Sequence, residues 1–317
     1  MSALANTPVS DTPTPLSSPT SSRLHSFLKF WVMNRKVSLG SAILAIFLLM
    51  AIIGPALIHQ DPNAMTNDLL QPPSAAHWLG TTQTGQDVLA QVIVGARISV
   101  FMGLAIGLVT TTISVIIGLL SGYFGGWIDE FLSLASNVFL VIPTLPLAIL
   151  MAAFISYKGV LTIGFVLTIT GWSWSARILR AQTLTWRGRD CVEAARASGE
   201  SLWRIVFFEI FPNEIAIVAA QFLGTVIYAI LAETGLEYLG LGDITSISWG
   251  TMLYWASNND ALMRGAWWWF IAPGLCIALL GAGLTFINFG IDEIANPRLR
   301  GMPKLKRLKA KLLHKEL

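Results

Sequence analysis

Six apolar stretches of this 317-residue chain contain no Asp, Glu, Lys or Arg for 18 residues or more: 37–60, 98–128, 131–157, 159–176, 215–232 and 265–291. About 20 apolar residues in a helix cross the roughly 30 Å hydrocarbon core of a bilayer. Only helices and closed barrels satisfy their backbone groups there, and a membrane strand would alternate apolar with polar residues. These runs are continuous, so they predict an all-α, polytopic membrane protein with six transmembrane helices. Only 12% of the residues are charged, against roughly 25% in a soluble domain. The 98–128 run is too long for one span, since at 1.5 Å per residue it would reach about 46 Å. Its helix is expected to stop near Ser121, ahead of Gly122, Gly125 and Gly126.

Orientation follows from the placement of Lys and Arg. Eighteen of the 21 lie in the N-terminal segment, in the loop after the fourth helix with its flanks, or in the C-terminal tail. Arg97, Lys158 and Arg264 remain for the other side. With an even number of spans, both termini and the segment 191–213 are expected in the cytoplasm. The expected organisation is a disordered, basic cytoplasmic N-terminus (1–36), a first transmembrane helix (37–58) and an extracytoplasmic segment (59–96). A core with five transmembrane helices (97–291) and a basic cytoplasmic tail (292–317) follow. The first apolar run is too long for a signal-peptide core, so helix 1 is expected to remain uncleaved. The tail sequence KLKRLKAKLLHK suits contact with anionic lipid or simple solvation.

Within the spans, Pro143 and Pro146 should kink the third helix. Gly103-x-x-x-Gly107 and Gly118-x-x-x-Gly122 should let helices approach closely, more readily inside one subunit than across a dimer. Helix 5 is expected to start at Pro212 and end near Glu233. The two cysteines, Cys191 and Cys276, imply no disulfide framework. His59 and His77 lack a metal-ligand pattern, and no nucleophile–base set stands out. No span carries an ionisable residue near its centre, as a proton-driven carrier would require. No Gly-Lys pair exists, so the phosphate loop G-x-x-x-x-G-K-[ST] is absent. The chain is expected to hold no cofactor and to draw energy from elsewhere. The net charge of +3 is distributed over membrane-flanking segments and gives no nucleic-acid partner.

The segment CVEAARASGESLWRIVFFEIFPN, 191–213, is charged and amphipathic. On a helix, Val192, Ala195, Ser198–Gly199 and Leu202 share one side, with Glu193, Arg196 and Glu200 turned away. Ala194 and Ala195 leave room for close approach by another body, and Gly199 allows a turn without a Cβ clash. A connector resting on lipid fits the same pattern.

Glu193-Ala194-Ala195, three residues, Gly199, nine residues and Glu209-Ile210-Phe211-Pro212 resemble the EAA loop of ABC-importer permeases, E-A-A-x3-G-x9-I-x-L-P. The match departs at Glu209 and Phe211. His77–Thr81 with Gly85 and Asp87, Gly95–Ser99, Gly122–Asp129, Leu239–Gly242, Ser248–Leu253 and Asn296–Leu299 resemble the C-type subunit of the dipeptide/oligopeptide/nickel subfamily. That subfamily more often has Asp at position 82 and Arg at 86; this chain has Thr82 and Gln86. The resemblance implies a MetI-like permease fold in a prokaryotic inner membrane. It implies a non-enzymatic permease working with a second permease subunit, two ATP-binding subunits and an extracytoplasmic solute-binding protein. It gives Glu193, Ala194, Ala195, Gly199 and Pro212 as the contact with the ATP-binding subunit. Peptide is the first expected substrate, with oligosaccharide and nickel as alternatives. An autonomous channel or secondary carrier is the competing class.

Overall fold

The structure is a computed structural model that describes residues 35–58 and 61–295. The expected N-terminal tail, His59, the Asn296–Leu299 motif and most of the basic C-terminal tail lie outside the described residues. Among the described residues every regular element is helical. In chain order they are α1 (Arg35–Leu57), α2 (Val88–Phe124), α3 (Gly126–Val141), α4 (Thr144–Phe154), α5 (Val160–Arg187) and α6 (Asp190–Ala197). After these come α7 (Leu202–Tyr238), α8 (Trp249–Asn258) and α9 (Trp267–Ala295). Four of the helices among the described residues, α1, α2, α7 and α9, are long and apolar enough to cross a membrane, and α3 with α4 adds a fifth if that bent pair is one span.

Three boundaries differ from expectation for identifiable reasons. Helix α2 begins at Val88 rather than near Arg97. Asp87 is its N-cap and accepts a hydrogen bond from the Ala90 N–H at 2.9 Å, which satisfies a donor the first turn would otherwise leave open. The third expected helix is broken rather than kinked, with an 87° bend between α3 and α4. Ile142 is extended, as a residue before proline tends to be, and Pro146 falls in the first turn of α4, where its missing N–H is tolerated. The fifth expected helix starts before Pro212. Leu202–Arg204, a π-helical turn at Ile205–Ile210 and Phe211–Tyr238 run on as one stretch.

Helix α2 packs along α5 and α7, and α1 lies against α9 and α2. Both glycine pairs face inward. A Cβ at Gly103 or Gly107 would lie 2.3 Å or 2.4 Å from Ile230 or Val226 of α7. One at Gly118 or Gly122 would lie 2.6 Å from Leu179 or Thr183 of α5. The absent side chains therefore set helix spacing within the chain. The largest core joins α1, α2, α7, α8 and α9 around Trp249, which is fully buried and meets Phe47 edge-to-face. Leu39, Ile46, Leu49 and Ile52 of α1 remain exposed, as lipid-facing positions would.

The loop 61–87 folds onto the Val88 end of α2. Trp268 donates its indole N–H to the Thr81 carbonyl at 3.1 Å. Gly80 has φ +72°, and a Cβ there would meet that indole nitrogen at 2.5 Å, so this position of the motif requires glycine. His77 Nδ1 lies 2.9 Å from Asp87 Oδ2, with Asp68 at 3.7 Å from Nε2. The hydrogen bond to Asp87, foremost, raises the histidine pKa above its ordinary 6.5. A group whose folded pKa is raised adds stability that is complete below the unfolded value and disappears as pH rises through the folded one. Thermal unfolding in nanodiscs should therefore show Tm falling as pH rises past about 6.5, and His77→Gln should flatten that part of the profile. An unchanged profile in the variant would separate His77 from it.

Candidate functional site

The candidate site is α6 and its mounting. Asp190 and Glu193 occupy its first turn and Arg196 its last, which matches the helix dipole at both ends. The helix ends in two bonds: Glu200 N–H donates to the Ala195 carbonyl at 3.2 Å, and Gly199 N–H to Arg196 at 3.0 Å. This pairing places Gly199 in the left-handed region at φ +75°, where glycine is favoured. A Cβ at Gly199 meets nothing within 4 Å. The requirement there is conformational, not steric.

A buried valine and an arginine–aromatic contact fasten this short helix. Val192 is fully buried and packs among Leu119 and Tyr123 of α2 and Ile205, Val206 and Ile210 of the π turn. Arg196 lays its guanidinium over the Tyr123 ring at 5.2 Å, so it returns to the body instead of facing away. Arg204 pairs with Glu200 at 2.6 Å, bracing the turn between α6 and α7. Leu202, expected on the inward side, is 51% exposed, because the chain bends at Gly199 before reaching it. Glu193, Ala194 and Gly199 are exposed, Ala195 is half-buried, and Pro212 is exposed in the first turn after the π segment. The structure thus brings Glu193, Ala194, Ala195 and Gly199 together on one mounted helix. Pro212 stands apart on α7.

A short way along the bundle, Arg180 of α5 grips Asp129 of α3 with two bonds, at 2.6 Å and 2.7 Å. Such a paired geometry is among the stronger charge-assisted contacts. It ties the broken helix to α5 on the same end as α6.

A model of the family described as "Binding-protein-dependent transport system inner membrane component" matches residues 114–301. The oligopeptide transport system permease protein OppC of Bacillus subtilis is 35% identical, over 84% of this chain and 87% of that protein. The chain belongs to this permease family. The dipeptide permease DppC of B. subtilis is also 35% identical, over 84% of this chain and 83% of its own. OppC of Mycobacterium tuberculosis is 32% identical, over 83% and 90%. A transport permease component is not itself a catalyst, and the match makes this a multi-pass inner-membrane protein.

Two features of the permease escaped the sequence reading. The first is a concavity of about 610 Å³ between the α3–α4 junction, α5 and α7. Thr170, Ser173, Gln221, Thr225 and Tyr228 line it, with Arg177 as its one charged group. The second is a set of buried carboxylates. Glu214, Glu233 and Glu237 are all fully buried on α7. The Thr183 hydroxyl donates to Glu214 at 2.9 Å, and the Ser248 hydroxyl donates to Glu237. The segment between Glu214 and Glu233 is indeed free of charge, but the flanking acids turn inward. Their spacing, with Glu233 and Glu237 one helical turn apart, was the available signal.

Proposed function

We propose that this chain is one permease half of an ATP-driven, binding-protein-dependent importer of di- or oligopeptides. The observation that carries the reading is α6. A helix exposing Glu193, Ala194 and Gly199, with Ala195 half-buried beside them, while Val192 fastens it to the ends of α2 and α7 transmits a push without absorbing it. The names of the B. subtilis relatives support peptide as cargo. Six spans result when α5 and the α3–α4 pair are counted with the four apolar helices, and the basic residues then put both termini and α6 in the cytoplasm. One of two ATP-binding subunits seats against α6, a second permease completes the pore, and a solute-binding protein delivers from outside. No cofactor is held by this chain; ATP is bound by its partners. The hydroxyl- and amide-lined concavity is this subunit's share of the path. ATP-driven approach of the nucleotide subunits then switches the permease pair between inward- and outward-open states.

The test is reconstitution in nanodiscs with the second permease, both ATP-binding subunits and the binding protein. Peptide should stimulate ATP hydrolysis in the full assembly, and oligosaccharide or nickel should not. Stimulation by either of those, with peptide inert, would move the cargo. The buried carboxylates of α7 favour one other reading, a proton-coupled carrier. That reading requires uptake by the chain alone in liposomes under a pH gradient, and the importer requires none.

A further inference from the structure

Arg177 of α5 is the one cation in the concavity between the α3–α4 junction, α5 and α7, and no Asp or Glu lines that space. Arg177 is exposed, and its guanidinium has no acceptor among the described residues. Arg180, three residues on, differs. It is held by Asp129 through two bonds. The carboxylate that α3 offers to α5 is therefore already matched, and Arg177 is left facing the open space.

Two contacts fix the level of Arg177 in the wall. A Cβ on Gly171 would lie 3.5 Å from the Tyr228 ring, and the Ser175 hydroxyl donates to Gln221 Oε1 at 3.1 Å. The numbers climb on α5 while they fall on α7, so the two helices run antiparallel along the concavity. Arg177 lies about 9 Å beyond Gly171 at 1.5 Å per residue, toward the end where α5 leads into α6. Thr170, Ser173 and Thr225 supply hydroxyls along the wall. These groups hydrogen-bond amides of any sequence and carry no charge.

Every unblocked peptide, whatever its side chains, carries one carboxylate at its C-terminus. That group is costly to take out of water without a partner. A guanidinium meets it with two parallel N–H donors in a fixed fork. The N-terminal ammonium finds no counter-charge in this wall, and a bare divalent cation would be repelled by it. We propose that Arg177 is a specificity-determining residue, pairing with the C-terminal carboxylate of a peptide in the concavity so that passage favours free acids over blocked C-termini. This rests on the importer reading and names the feature of the cargo that this subunit selects.

The experiment measures uptake by the full assembly in proteoliposomes, with the binding protein present. The probes are trialanine, its C-terminal amide and its N-acetyl derivative, each supplied at a concentration that saturates the binding protein. Each probe is compared between wild-type and variant permease, so the preference of the binding protein cancels. The ratio of trialanine to amide uptake does not depend on how much permease is folded. It should fall about tenfold or more in Arg177→Gln. Arg177→Lys, which keeps the charge and loses the fork, should fall between the two. N-acetyl-trialanine retains the carboxylate and should lose uptake in Arg177→Gln together with trialanine. A ratio in Arg177→Gln within twofold of the wild type overturns the proposal, as a guanidinium held by a lipid phosphate or by an acid of the second permease would give. Sparing of N-acetyl-trialanine in that variant overturns it too. Failure of the wild-type assembly to take up any of the three overturns the importer reading instead, and this inference with it.

Discussion

Ala194→Trp should cut ATP-dependent uptake by about tenfold or more, equivalent to ~1.4 kcal/mol of lost coupling, without lowering the amount of folded protein. Ala194 is exposed on α6, so an indole there disturbs nothing inside the chain. It changes only the surface that an ATP-binding subunit would meet. Peptide-stimulated ATP hydrolysis should fall in step with uptake, while Tm stays within error of the wild type. Val192→Asp provides the contrast. It puts a charge at a position with no exposure, and an unpaired buried charge costs several kcal/mol, so uptake and Tm should fall together. Gly199→Asn should be milder than Gly199→Val, because asparagine tolerates the left-handed region and a branched residue does not. Full uptake by Ala194→Trp would mean that α6 rests on lipid or solvent.

The second large effect concerns helix spacing. Gly118→Leu should prevent accumulation of the folded chain. A Cβ there would lie 2.6 Å from Leu179 Cβ and 3.1 Å from both the Ala176 carbonyl oxygen and the Arg180 nitrogen. Two of those three are backbone atoms, so α5 itself would have to move. Overpacking of this kind costs about 1–3 kcal/mol or more, and leucine adds further atoms beyond the Cβ. Gly281→Ala on α9 is the matched control, since a Cβ there meets nothing within 4 Å. Membrane content and Tm in nanodiscs should separate the two variants. Equal stability would contradict the close approach of α2 and α5.

Charge-free runs located α1 and α9 to within a few residues because the lipid-facing and core-facing sides of those helices are both apolar. The same rule misplaced the start of α2, because it reads Arg97 as an end. Arg97 is merely an exposed residue on a helix that Asp87 had already started. Pro143 and Pro146 announced a disturbance in the third helix, but the angle depends on how α3 and α4 each pack against α5, which no local signal encodes. At α6, periodicity placed Val192 and Ala195 inward. It failed at Leu202 because the turn at Gly199 resets the helical phase. The spacing of the α7 acids was legible, but their burial was not, because their partners come from other elements: Thr183 of α5 meets Glu214, and Ser248 meets Glu237.

The π turn at Ile205–Ile210 has a mechanical corollary. A single-turn bulge of this type accommodates one surplus residue in an otherwise α-helical rod, and one residue corresponds to about 100° of rotation. That surplus sets the angular offset between the buried cluster around Val192 and the wall presented by Gln221 and Thr225. Relaxing the bulge would swivel α7 about its own long axis and repack Ile205, Val206 and Ile210 around Val192 at the same time, turning a different stripe of side chains toward the concavity between α5 and α7.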